Sequence, residues 1–190
     1  DFVTPRGLPQ PGQVERGVLT ALQFSPSGDR LAFGLSTATS AGDVYTFNLA
    51  DNGGSEGWTM SELGDLDPMR LAEPELIRFE SFDGLSLPAF VYRPKRVAAD
   101  QRTPVIIDIH GGPESQTRPQ WNPGAQYFAE MLGATVILPN VRGSEGYGTR
   151  YLNLDNAERR EDSVRDIGAL LDWIARQPRL DSPRGAGHGQ

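Results

Sequence analysis

The 190-residue sequence predicts an α/β domain preceded by a short stretch of antiparallel β-structure. Three observations predict it. Residues 19–61 alternate apolar and polar side chains between compact turns, as a β-meander does. Two short apolar runs, 104–109 and 134–138, have the length and continuity of strands inside a parallel sheet. A helical-period apolar stripe follows residue 156. A hairpin and then alternating buried strands and helices imply a mostly parallel sheet.

Residues 1–18 are rich in Gly, Pro and Gln and read as an irregular lead-in. Leu22 and Phe24 then alternate with polar neighbours up to the turn Ser25-Pro26-Ser27-Gly28-Asp29. Leu31, Phe33 and Leu35 alternate again, and Val44, Tyr45, Phe47 and Leu49 form the next run, closed by Asp51-Asn52-Gly53-Gly54. Such strands match one blade of a β-propeller or a small sheet. A single blade cannot close a propeller, so its neighbours are expected outside this chain. Residues 62–74, with Gly64, Pro68 and Pro74, read as a linker. These divisions give terminal β-strands at 1–61, a linker at 62–74 and an α/β segment at 75–190.

From Glu75, two alternating runs flank Asp83-Gly84, a strong hairpin signal. The run 104–109 predicts a strand buried on both faces, about 124–132 predicts a helix, and 134–138 predicts the next buried strand. The clearest helix lies between Asn156 and Gln177. Its stripe is Val164, Ile167, Leu171 and Ile174 with Leu170 beside them, Asp155 or Asn156 is its cap, and Pro178 its stop. Glu158, Glu161 and Asp162 sit near the positive end of its dipole.

Composition narrows the function. The apolar content is 37% and the charged content 23%, which favours a globular chain. The net charge of −7 argues against a nucleic-acid partner, which requires a basic face. The absence of cysteine excludes disulfides, thiolate metal sites and a thiol nucleophile. No apolar run has the length of a membrane span and no signal peptide is visible, so no membrane partner is expected and a cytoplasmic location is favoured. The compartment, like the oligomeric state, is not encoded in any motif. The start at Asp1 rather than Met is expected of a processed or incomplete N-terminus.

Four motifs bear on chemistry. His110-Gly111-Gly112-Pro113 follows a buried strand directly, where α/β proteins place ligands, and paired glycines let backbone N–H groups approach a ligand. A turn of this kind can supply an oxyanion-hole N–H; a packed histidine at a strand end is the plainer alternative. After the next strand, the loop 139–148 (PNVRGSEGYG) lacks the lysine of a phosphate-binding P-loop. It reads as a shaped loop in which Arg142 braces the site or meets a substrate carboxylate, with a surface arginine as the alternative. Arg159-Arg160-Glu161-Asp162 reads as a solvated helix start. The terminal run Asp181 to Gln190 is weakened as a strand by its glycines and, taken alone, reads as disordered.

Five stretches together resemble the prolyl oligopeptidase family, especially its acylaminoacyl-peptidase and dipeptidyl-peptidase-like members: 24–33 (FSPSGDRLAF), 73–84 (EPELIRFESFDG), 110–113 (HGGP), 139–148 (PNVRGSEGYG) and 161–166 (EDSVRD). The resemblance runs from about residue 20 onward and rests on order and spacing. It implies the last strands of a β-propeller followed by the first half of an α/β-hydrolase domain. It also implies cleavage of short peptides by a Ser-Asp-His triad, without cofactor or metal. His110, Gly111, Gly112, Arg142 and Tyr147 then belong to the oxyanion and substrate loops. Asp181-Ser182-Pro183-Arg184 matches the segment before the family's Gly-x-Ser-x-Gly elbow. Counting on, Gly185 to His188 fill a strand, Gly189 and Gln190 begin the elbow, and the nucleophile is expected immediately after Gln190. A rival register reads Gly185 to Gly189 as an elbow with Gly in place of Ser, at the cost of the strand. The triad order is Ser, then Asp, then His, and no serine here precedes a usable Asp and His. The isolated chain is therefore expected to lack peptidase activity, and His110 is not expected to act as a general base.

Two other functions compete. A related esterase or lipase also carries His-Gly-Gly loops, but the blade-like segment before Glu75 favours the peptidase. A truncated binding module would have to tolerate an open sheet edge. A metal enzyme ranks last: Asp108 and His110 alternate on a strand and are expected on one face, but no third ligand is suitably spaced.

Overall fold

The computed structural model describes residues 15–49, 55–98, 100–112 and 114–189, with the backbone alone for 182–189 and for two short strands, β1 (Phe2–Val3) and β2 (Pro9–Gln10), which pair antiparallel. The predicted turn at 51–54 lies outside the described residues, as do Pro113 and Gln190. The chain divides into two compact units, 1–64 with 119–121, and 65–118 with 122–190.

In the first unit, β3 (Val18–Phe24), β4 (Arg30–Ser36), β5 (Asp43–Asn48) and β6 (Ser55–Gly57) form an antiparallel sheet in that order. The alternation of β4 buries Leu31, Phe33 and Leu35 against Phe47, and the rings of Phe33 and Tyr45 stack at 5.9 Å. The β3–β4 turn is closed by the Ser25 and Ser27 hydroxyls donating to Asp29, with Gly28 at φ 74°. Leu22 and Phe24, read as alternating core residues, are exposed, because β3 has a sheet neighbour on one side only and its register slips between Thr20 and Gln23. The buried Asp43 carboxylate accepts the hydroxyls of Ser40, Thr59 and Ser61. Burial opposes its charge, but these bonds outweigh burial and its pKa is lowered.

The second unit is an α/β unit. Its strands are β7 (Glu75–Glu80), β8 (Ser86–Tyr92), β9 (Thr103–Ile109), β10 (Thr135–Pro139) and β11 (Leu180–Gly189), in the sheet order β11-β9-β10-β8-β7. β7 and β8 form the expected hairpin, with Gly84 at φ 80°, and β8 pairs antiparallel with β10. β9, β10 and β11 are mutually parallel where they pair. All of β10 is buried. β9 departs from the reading of a strand buried on both faces: Thr103, Val105 and Ile107 are buried, whereas Pro104, Ile106 and Asp108 are half-buried. Helix α1 (Pro123–Met131) packs over β8 and β10, so the second face of β9 has less cover. The terminal run is the strand β11, since pairing with β9 supplies the backbone bonds that its glycine-rich side chains could not specify. Its register shifts between Asp181 and Ala186.

The α1 start follows its sequence: the Asn122 side chain accepts the Ala125 N–H at 2.9 Å and Pro123 occupies the first turn. Of residues 62–74, read as a linker, 65–74 belong to this unit. Leu71 and Ala72 are buried there, and the fully buried Gln126 amide pairs with both backbone groups of Ala72. A four-residue helix, α2 (Thr149–Leu152), leads to α3 (Arg160–Ala175), which follows a short 3-10 turn at Ala157–Arg159. Neither Asp155 nor Asn156 caps α3, because the 3-10 turn separates them from its first residue.

The α3 stripe is also rotated from the expected one. Val164 is 70% exposed and Leu171 49%, while Asp166, Leu170 and Ile174 are buried. Leu170 and Ile174 join Val105, Ile107 and Ile137 in the core. The face that meets the sheet includes a carboxylate, which an apolar count cannot register.

Candidate functional site

The site lies at the carboxyl ends of parallel strands β9 and β10, where an α/β sheet opens a crevice between its loops. His110 and Gly112 from the first loop, Val141 to Ser144 from the second, and Asp155 and Ser163 around the start of α3 border a pocket of about 240 Å³. Glu114 also faces it, at φ 70°. Asp108, half-buried on β9, is not among the residues that border it.

A hydrogen bond between the two loops is backed by one within the second. The His110 Nε2 lies 3.0 Å from Ser144 Oγ, and Ser144 Oγ donates to the Val141 carbonyl at 2.7 Å. Ser144 itself is buried. Further along, the buried Asn140 accepts the Thr117 N–H at 2.7 Å, donates to its carbonyl at 3.0 Å and donates to the Tyr147 hydroxyl at 2.8 Å. Tyr147 is thereby fixed near Tyr151, whose ring centroid is 5.2 Å away. The Tyr151 hydroxyl donates to Asn140 O, and burial raises its pKa. Gly143 suits its φ of 88°, and the Asp155 carboxylate occupies the position that a Cβ would take.

Arg142 is 4% exposed and is taken up internally. Its Nη2 donates to Asp166 at 2.8 Å and to Asp83 at 3.0 Å, its Nε donates to Asp166 at 3.0 Å, and its own backbone N–H donates to Asp166 at 3.0 Å. The Ser81 hydroxyl completes the Asp166 carboxylate at 2.5 Å. Burial opposes the arginine's charge, but the bonds to Asp166 and Asp83 outweigh it and its pKa is raised. The same arginine holds the Asp83 pKa below its ordinary value. Two guanidinium groups approach the Phe82 ring, Arg142 at 4.7 Å and Arg165 at 3.3 Å from its centroid. With its donors so engaged, the guanidinium braces the loop from inside and offers little to a substrate carboxylate.

Sequence reasoning on single residues missed Asp166, Ser81 and Asp83 as site-supporting groups. The available signal was an acid in the middle of an amphipathic helix, one position from an apolar residue of the stripe. Gly189 pairs with Ile109 at the end of β11, and Gln190 lies outside the described residues. Among the described residues, no three His, Asp or Glu side chains come together as a metal-holding group, and no helix is long and apolar enough to cross a membrane.

Residues 120–190 match the model of the prolyl oligopeptidase family. Across 96% of the chain, the sequence is 24% identical to an uncharacterised peptidase, YuxL, of Bacillus subtilis (strain 168), and the match covers 28% of that protein. It is 25% identical to prolyl oligopeptidase ophP of Omphalotus olearius over 80% of this chain and 21% of that one. A puromycin hydrolase crystal structure superposes on 94% of the chain and 27% of its own, with a TM-score of 0.80 at 24% identity, which shows a shared fold. The chain therefore spans between a fifth and three tenths of the length of these relatives. The family resemblance read in the sequence is thus supported: residues 120–190 match the prolyl oligopeptidase family, and the chain is similar in sequence to peptidases.

Proposed function

We propose that this chain is part of a serine peptidase that hydrolyses short peptides through an acyl-enzyme. In this reading 1–61 are the last strands of a β-propeller, 62–74 lead across, and 75–190 are the first half of an α/β-hydrolase domain. The observation that carries it is the register of β11 on β9, with Gly189 opposite Ile109. The residue after Gln190 then adjoins the His110–Gly112 turn, as a nucleophile must adjoin its oxyanion donors. The serine there attacks the scissile carbonyl, and an N–H of the Gly111–Gly112 turn stabilises the oxyanion. Tyr147 and Arg142 hold the neighbouring loop, and Gly189 and Gln190 open the elbow. The Asp and His of the triad come from residues beyond these 190, so this stretch alone is inactive. A cytoplasmic location belongs to the same proposal.

The test has two arms. The purified 190-residue chain is assayed on aminoacyl and acyl-peptide chromogenic substrates, and the gene is sequenced through the codon for Gln190. No turnover, and a frame continuing as Ser-x-Gly with a later Asp and His, is the expected result. Robust turnover by the 190-residue chain, or a stop codon after Gln190, would overturn the reading.

A further inference from the structure

We propose that Asp166 is a positioning residue for the pocket: through Arg142 it holds the 141–144 turn so that Ser144 fixes His110 beside the Gly111–Gly112 turn. The turn is pinned at each successive residue. Arg142 gives its backbone N–H and its guanidinium to Asp166. Gly143 gives its N–H to Tyr151 O at 3.1 Å, and Ser144 gives both its N–H and its hydroxyl to Val141 O.

The imidazole is held at both nitrogens. His110 Nδ1 lies 3.0 Å from the Gly111 carbonyl, which only accepts, so Nδ1 carries a proton. Nε2 lies 3.0 Å from the buried Ser144 Oγ. A ring engaged on both sides is not a free base. His110 serves the pocket as a strut, and its orientation is inherited from the turn that Asp166 holds. The outer end of the same network is the β7–β8 hairpin, through Ser81 and Asp83, so the hairpin and the pocket rim share one carboxylate.

The consequence for turnover rests on the peptidase reading, but the geometry is tested without substrate. The 190-residue chain has two histidines, so imidazole N–H signals in a 15N–1H spectrum are few and are assigned with His188→Gln. The wild type is expected to show a His110 ring N–H that exchanges slowly with water. Ser144→Ala is expected to abolish that protection. Asp166→Asn, in which an amide N–H faces the Arg142 donors, is expected to abolish it in a chain that stays folded by circular dichroism. Val164→Ala, on the exposed face of α3, is expected to leave it intact. A folded Asp166→Asn chain with the wild-type signal overturns the proposal, as does retention in Ser144→Ala. If Asp166→Asn does not fold, Asp83→Asn decides: faster ring N–H exchange supports the proposal and an unchanged rate overturns it. A missing peptidase activity changes none of these outcomes.

Discussion

Asp166, in the middle of α3, receives both the backbone N–H of Arg142 at 3.0 Å and its guanidinium at 2.8 Å. One carboxylate therefore fixes both the path of the loop after β10 and the side chain beneath it. Bidentate contact with a carboxylate suits the planar fork of arginine and does not suit lysine.

Arg142→Ala leaves Asp166 buried without its cation. The expected loss is ~3–5 kcal/mol, because removal of one partner of a buried pair strands the other charge. Arg142→Lys is expected to lie between wild type and Arg142→Ala. Urea unfolding followed through Trp173, in the same unit, measures both; equal midpoints for wild type and Arg142→Ala would contradict the buried pair.

The rotated stripe of α3 makes a second, opposed pair of expectations. Leu170→Ala, at a fully buried position, is expected to cost ~2–5 kcal/mol. Val164→Ala and Leu171→Ala are expected to stay within ~0.5 kcal/mol, since surface truncations rarely do more. Denaturant midpoints of the three variants, compared in one buffer, separate the observed face from the one the apolar spacing predicted.

Gly143→Ala is expected to destabilise the chain by ~1–3 kcal/mol, from a left-handed backbone and the occupied Cβ position. Gly133→Ala, at φ 62° but with open space around it, isolates the backbone contribution alone. Thermal melts of the pair give the steric share as their difference.

The acid side of the stability curve is set in part by Asp83 and Asp43, whose folded pKa values are lowered, the first chiefly by its bond to Arg142 and the second by hydroxyl donors that overcome burial. A lowered folded pKa means the unfolded chain binds protons first as pH falls. Their stabilisation is complete above the unfolded carboxylate value of about 4 and is lost as pH drops below it through the folded values. Asp83 is 43% exposed on its side chain, so its share is reduced by solvent screening. Urea midpoints between pH 6 and pH 3 are expected to fall less steeply for Asp43→Asn than for wild type; parallel curves would remove Asp43 from the account.

The sequence by itself determined the order and type of the elements. Alternation in 31–35 and 43–48, the Asp83-Gly84 hairpin and the Asn122-Pro123 helix start are local signals, and local backbone chemistry is sufficient to read them. It also marked both loops that border the pocket, because glycines after a buried strand have a recognisable meaning. Tertiary structure alone decided which face of α3 meets the sheet, since Asp166 gains its place there from Arg142 on another element and not from its own hydropathy. It decided where Ala72 packs, through its pairing with Gln126 across 54 positions of sequence. It decided too that the glycine-rich run up to Gly189 is a strand, because β9 supplies the backbone partners. In each case the stabilising partner is distant in sequence, and a buried polar group is satisfied only by what folding brings to it.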